Sequence, residues 1–134
     1  MPDTENADRQ DARADRVDIV LRSENPGNLA RFYAALGLEV VPEKHGSGPA
    51  HYFCRTGDTA FEIYPRRADG KPVPAAKMGF EMAVDAACVA AVAGGGIIVR
   101  QAADFPGGRQ ATIRDPDGNW IELSQRASIV GSLK

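Results

Sequence analysis

Three carboxylates in this chain, Asp18, Glu62 and Glu122, each sit in a short segment where apolar and polar residues alternate. Alternation marks a half-buried strand, so each acid falls on the face opposite its apolar neighbours. Asp18 then shares a face with Val20 and Arg22, Glu62 with Ala60 and Tyr64, and Glu122 with Trp120 and Ser124. Three such acids turned into one cavity would bind a divalent cation or move a proton. They form no local metal-binding motif, and the competing reading makes Asp18 and Glu62 exposed strand residues and Glu122 the ion-pair partner of an arginine. The same faces carry a binding inventory. Trp120 is suited to stack on a planar ligand, Tyr64 to stack and donate a hydrogen bond, and Arg22 to pair with an anionic or carbonyl-rich group. Each has a structural alternative: Trp120 capping the core, Tyr64 closing a sheet edge, Arg22 neutralising Asp18 or Glu122.

Other chemistries find less support. Cys54 and Cys88 lie in apolar contexts without zinc-binding spacing, and read as buried free thiols. Neither Ser124 nor Cys54 has the base and orienting group that covalent catalysis needs. Gly94-Gly95-Gly96 follows a helical segment and lacks the strand-to-helix context and lysine of a nucleotide loop. Sixteen basic residues against eighteen acidic ones give a net charge of -2 with no basic stripe, so nucleic acid is not an expected partner. No apolar run is long enough to cross a bilayer, and the first sixteen residues have five acids and no apolar signal core, so a cytoplasmic location is expected.

The elements that must position these residues come in two passes. Residues 1–16 show no apolar period and read as a flexible tail. A strand over Val17 to Arg22 leads to Asn25-Pro26, a capping residue followed by the proline tolerated at a first helical position. Leu29, Phe32, Tyr33 and Leu36 make an apolar helical stripe, and Gly37 provides a left-handed exit. Leu38 to Val41, His51 to Arg55 and Ala60 to Tyr64 read as strands, with Pro42 to Ala50 as a loop. After a connection over Pro65 to Ala76, Phe80 to Val84 reads as a strand, Asp85 as a cap and Ala86 to Ala93 as a helix closed by the triple glycine. Ile97 to Arg100, Gln110 to Arg114 and Trp120 to Ser124 are extended, and Asp104 to Arg109 is loop-like. Phe61-Glu62-Ile63 recurs sixty residues later as Ile121-Glu122-Leu123, and Val40-Val41 recurs as Ile98-Val99. Two β-α-β-β-β modules, at 17–64 and 77–125, account for this as an α+β domain over 17–125, with a C-terminal extension at 126–134. Curved mixed sheets would surround a cleft with the helices packed outside, a geometry that favours a small-molecule pocket.

The opening VDIVLRSENPGNLARFYAALGLEV, the FEIY strand and the closing RQATIRDPDGNWIEL resemble the vicinal oxygen chelate superfamily, the glyoxalase, bleomycin-resistance and extradiol-dioxygenase group. The resemblance spans nearly all of 17–125. It implies metal ligands from the first, fourth, fifth and last strands. Carried onto this chain they fall on Asp18, where relatives commonly have histidine, glutamine or glutamate, on Glu62, near Gly79, and on Glu122. The Gly79 neighbourhood, Lys77-Met78-Gly79-Phe80, offers no ordinary ligand; Glu81 would reach that place only through a bulge. His45, in a glycine-containing loop, and His51, at the start of a strand, fall off the ligand positions, though either would serve as a base at the rim of a dimeric pocket.

The depleted set points to a metal-independent small-molecule-binding protein like the bleomycin-resistance members, with no cofactor favoured and the ligand unspecified. The alternative is a divalent-metal-dependent lyase, isomerase or dioxygenase using Asp18, Glu62 and Glu122. A third reading is an interaction domain without a cleft. The resemblance also implies a homodimer whose paired sheets complete two clefts.

Overall fold

Ten elements follow the expected order in the computed structural model, which describes residues 12–71 and 73–127. The first module holds β1 (Val20–Ser23), α1 (Pro26–Ala35), β2 (Glu39–Glu43), β3 (His51–Thr56) and β4 (Thr59–Pro65). The second holds β5 (Lys77–Glu81), α2 (Val84–Ala93), β6 (Ile97–Phe105), β7 (Gly108–Arg114) and β8 (Trp120–Gln125). Each module closes a four-stranded mixed sheet, ordered β1-β4-β3-β2 and β5-β8-β7-β6. In both, the first strand runs parallel to the last, and the other neighbours are antiparallel. Most of the tail read at 1–16 and of the extension read at 126–134 lies outside the described residues.

Local chemistry explains both helices. Asn25 Oδ1 accepts from the Asn28 amide at 3.1 Å, and Pro26 stands in the first turn, as the sequence predicts. Leu29, Phe32, Tyr33 and Leu36 are all buried. Both helices end alike. The amides of Gly37 and Leu38 bond to the carbonyls of Ala34 and Tyr33, and those of Gly95 and Gly96 to Val92 and Ala91. Gly37 and Gly95 supply the positive φ, 94° and 92°, that this helix termination requires.

The helices cover one face of each sheet. Leu21, Phe61 and Ile63 in one sheet, and Ala111, Ile113, Ile121 and Leu123 in the other, point into the helical side, where Leu29, Phe32, Tyr33, Val84, Ala87 and Ala91 complete the core. Glu62 and Glu122 occupy matching places between their buried neighbours and turn to the open face. The sixty-residue echo is therefore a structural repeat.

Several boundaries move from the sequence reading. β5 ends at Glu81 rather than beginning at Phe80, because parallel pairing with β8 runs from Lys77–Trp120 to Glu81–Ser124. Asp85 is not a cap: α2 starts one residue earlier, the Val84 amide donates to Gln125 Oε1 at 3.0 Å, and the Asp85 carboxylate receives Arg109. β6 runs on to Phe105, absorbing irregular register between Ile98 and Ala103, because Phe105 pairs with Gly108 around Pro106-Gly107. β2 continues through Pro42 to Glu43; as the edge strand of its sheet it tolerates the missing donor.

Candidate functional site

The extension of β2 has a chemical consequence. Antiparallel register with β3 puts Glu43 directly opposite His51, and register between β3 and β4 puts Phe53 opposite Glu62. The open face of the first sheet thus gathers Glu43, His51, Phe53, Glu62 and Tyr64. His51 is 2% exposed, and its Nε2 stands 3.3 Å from Glu43 Oε1, 3.3 Å from Glu62 Oε2 and 3.4 Å from the Tyr64 hydroxyl. Its Nδ1 lies 3.1 Å from the Pro49 carbonyl. The imidazole stacks on the Tyr64 ring with centroids 4.1 Å apart and planes 7° from parallel. Burial and the nearby Glu62 carboxylate raise the Tyr64 phenol above its ordinary pKa. His45, two residues beyond Glu43, brings its Nε2 to 3.6 Å from the same Glu43 oxygen.

Beside this group lies a cleft of about 440 Å³, whose lining includes Asp18, Glu43, His45, Phe53, Ala60 and Glu62. Its volume falls within the ordinary range for small-molecule pockets. Asp18 and Glu62 therefore share a cavity. Asp18 precedes β1 and is held by Arg16 at 2.9 Å, both side chains being well exposed; it is Val20, two residues on, that pairs with Glu62.

Glu122 is elsewhere. It belongs to the second sheet, where Trp120 Nε1 donates to its Oε1 at 2.8 Å and Thr112 Oγ1 to its Oε2 at 2.9 Å, with Arg100 at 3.6 Å. The Trp120 bond chiefly, aided by Thr112, Arg100 and Lys77, holds this carboxyl below its ordinary pKa despite some desolvation. Trp120 also carries the Arg114 guanidinium 4.9 Å from its ring centre. Arg22 lies over Tyr64 at 5.2 Å and donates to the Pro65 carbonyl at 3.3 Å, but lines a different cavity of about 310 Å³ with Glu24 and Arg66. Of the three ligand-binding residues expected from the sequence, Arg22 and Tyr64 are thus in contact, and Trp120 stands on the other module.

The sequence profile of the glyoxalase/bleomycin resistance protein/dioxygenase superfamily matches residues 16–123. The chain belongs to this superfamily. No protein of curated function matches it by sequence. Among solved structures, it is similar to a glyoxalase/bleomycin resistance protein from Albidiferax ferrireducens, with 24% identity and a TM-score of 0.64 over 81% of this chain and 96% of that one. It is also similar to TioX from Micromonospora, with 19% identity and a TM-score of 0.65 over 84% and 99% of the two chains. A lactoylglutathione lyase from Agrobacterium tumefaciens gives 19% identity and a TM-score of 0.58 over 86% and 96%. These likenesses show the shared fold.

Of the four positions that the resemblance implies for the divalent metal frequent in the glyoxalase superfamily, the one on β5 has no donor. Gly79 lies opposite Glu122 on β5 and brings no donor atom. Both Glu122 oxygens are already engaged, by Trp120 on one side and by Thr112 and Arg100 on the other. His51, the most buried ionisable side chain on the open face of the first sheet, is read from the sequence only as a base at a pocket rim, off the ligand positions. Its signal is the hairpin register: Val40 and Val41 facing Cys54 and Phe53 carry on, two residues further, to Glu43 facing His51.

Proposed function

We propose that this chain is a metal-independent small-molecule-binding protein, similar to the bleomycin-resistance type within its superfamily, whose ligand lies on the open face of the first module. One observation carries this reading: the 440 Å³ cleft sets the apolar Phe53 and Ala60 beside the Glu43 and Glu62 carboxylates, while the inherited metal positions are broken at Gly79. Such a lining suits a planar organic molecule bearing a positive charge or hydrogen-bond donors. A homodimer, in which a second copy covers the cleft, accords with exposed Ile19, Val20 and Val41. A cytoplasmic location accords with two free, buried cysteines, and no described helix is long and apolar enough to cross a membrane.

The metal-dependent lyase, isomerase or dioxygenase reading is favoured by one feature, the shared placement of Asp18 and Glu62 in the cleft. Two-dimensional NMR on metal-stripped protein separates the two. Planar cationic aromatic compounds, titrated in the presence of chelator, are expected to shift the Phe53, Ala60 and Glu62 amides. Binding that appears only after a divalent metal is added, or shifts confined to the helices, would overturn the metal-independent reading.

A further inference from the structure

We infer that Glu43, His45 and His51 form a site for a borderline divalent cation such as Zn²⁺, displaced across the first sheet from the positions the superfamily uses. One donor atom from each of Glu43, His45 and His51 lies within 4.8 Å of the other two. The separations are informative. Glu43 Oε1 is 3.3 Å from His51 Nε2 and 3.6 Å from His45 Nε2. These are long for hydrogen bonds, which centre near 2.9–3.0 Å. They match the spacing of two donors on one tetrahedral cation, since ligands about 2.0–2.1 Å from zinc stand ~3.3 Å apart.

The proton arrangement at His51 points the same way. The Pro49 carbonyl beside Nδ1 can only accept, so Nδ1 bears a proton and Nε2 presents its lone pair in the neutral ring. That lone pair faces the Glu43 carboxylate, with a Glu62 oxygen and the Tyr64 hydroxyl also within 3.4 Å, an electronegative setting suited to a cation. Metal-binding histidines commonly donate their second nitrogen to a backbone carbonyl, as His51 does, and the ring is already fixed by burial and by the Tyr64 stack.

Donor chemistry narrows the choice of ion. Two imidazoles and one carboxylate, without thiolate, suit zinc, nickel, cobalt or copper better than calcium or magnesium. His45 is the exposed partner, 74% exposed on its side chain, in a loop turned by Gly46 at φ 58° and by the Gly48 amide on the His45 carbonyl. The buried His51 is the preorganised one. Glu43 and His45 also line the cleft assigned to the ligand, so the cation site goes beyond that reading and is tested separately, with metal alone.

The test is titration of tag-free, metal-stripped full chain with Zn²⁺ and Co²⁺, by calorimetry and by competition with a chromogenic chelator. One ion per chain is expected, with a tetrahedral Co²⁺ absorption spectrum. His45→Ala, in an exposed loop that leaves the fold intact, should weaken Zn²⁺ at least tenfold, and His51→Gln should abolish uptake. Glu81→Gln, an exposed acid paired with Arg126, should leave binding unchanged. Absence of stoichiometric binding would overturn the site. Binding indifferent to His45→Ala and lost in Glu122→Gln would overturn it equally, returning the metal to the inherited positions.

Discussion

The Tyr33 hydroxyl, on the first module's helix, donates to Asp115 Oδ2 at 2.6 Å across the junction with the second module, and both residues are buried. Asp115 also receives the amides of Asp117 and Asn119 on Oδ1 and the Asn119 side-chain amide on Oδ2. The turn between β7 and β8 is thereby built around a carboxylate anchored to α1. The Tyr33 ring makes edge-to-face contacts with Phe32, Phe61 and Phe80, at centroid distances of 5.2, 5.1 and 6.1 Å. Aromatic packing and one charged hydrogen bond together fix how the two open sheets stand relative to each other.

Tyr33→Phe keeps the ring contacts and removes the donor. Three donors remain on Asp115, so the expected cost is about 1–2 kcal/mol, within the range for leaving a buried acceptor under-satisfied. Burial first, and Asp115 next, push the Tyr33 phenol far above its ordinary value. The stability this contributes is complete below about pH 10, where the unfolded tyrosine begins to ionise, and falls as pH rises beyond it. Urea unfolding at neutral and alkaline pH checks both points. The variant should start lower and lose less above pH ~10; equal alkaline loss would disconnect Tyr33 from the junction.

Gly96→Ala should destabilise the fold by about 1–3 kcal/mol, the usual cost of an added methyl group in a packed interior. A Cβ there would lie 2.6 Å from the Arg114 carbonyl oxygen and 2.7 Å from Phe32 Cε1. At Gly107 nothing lies within 4 Å and φ is not positive, so Gly107→Ala should fall within about 0.5 kcal/mol of wild type. Comparing the two by thermal or chemical unfolding isolates close approach from loss of glycine as such. Similar effects from both would show that Gly96 ends the helix without governing its packing.

The contrast between those glycines tracks what the sequence makes legible. Local signals carried through: Asn25-Pro26 opened a helix, Gly37 and the Gly94-Gly95-Gly96 run closed two, and the echo of Phe61-Glu62-Ile63 in Ile121-Glu122-Leu123 located equivalent strands. Contacts set by register or long separation did not. Pro42 reads as the start of a loop because proline interrupts strands, yet an edge strand accommodates it, and that allowance alone brings Glu43 opposite His51. Tyr33 and Asp115 are 82 residues apart, and no period connects them. Trp120 and Glu122 share a face by alternation, but the bond between them depends on side-chain geometry that alternation does not specify.

The two cysteines should resist labelling in the folded protein. Cys54 is 0% exposed and burial pushes its thiol up to about 11; Cys88, 8% exposed, is also raised, by burial first and then by Asp85. Thiolate is the reacting form, so a disulfide reagent at about pH 8 should modify neither until the protein unfolds, when both should react. Counting labelled thiols with and without denaturant checks this. Rapid native labelling of Cys54 would mean that the sheet opens on the timescale of the reaction.

Glu122 gives the pH dependence on the acid side. Its carboxyl is held below the ordinary value, first by the Trp120 hydrogen bond and then by Thr112 and Arg100, so the folded state prefers the ionised form more than the unfolded chain does. The stabilising contribution is therefore present above the unfolded glutamate value, about 4.3, and is lost as pH falls through the lower folded value. Trp120 is the only tryptophan, and its indole N–H is the donor, so its fluorescence should report that protonation directly. The expected titration has a midpoint below about 4.3 in wild type and disappears in Glu122→Gln. A midpoint above that value would mean desolvation outweighs the hydrogen bonds. The carboxylate would then be destabilised in place, hence available to a ligand or metal despite its bonds to Trp120 and Thr112.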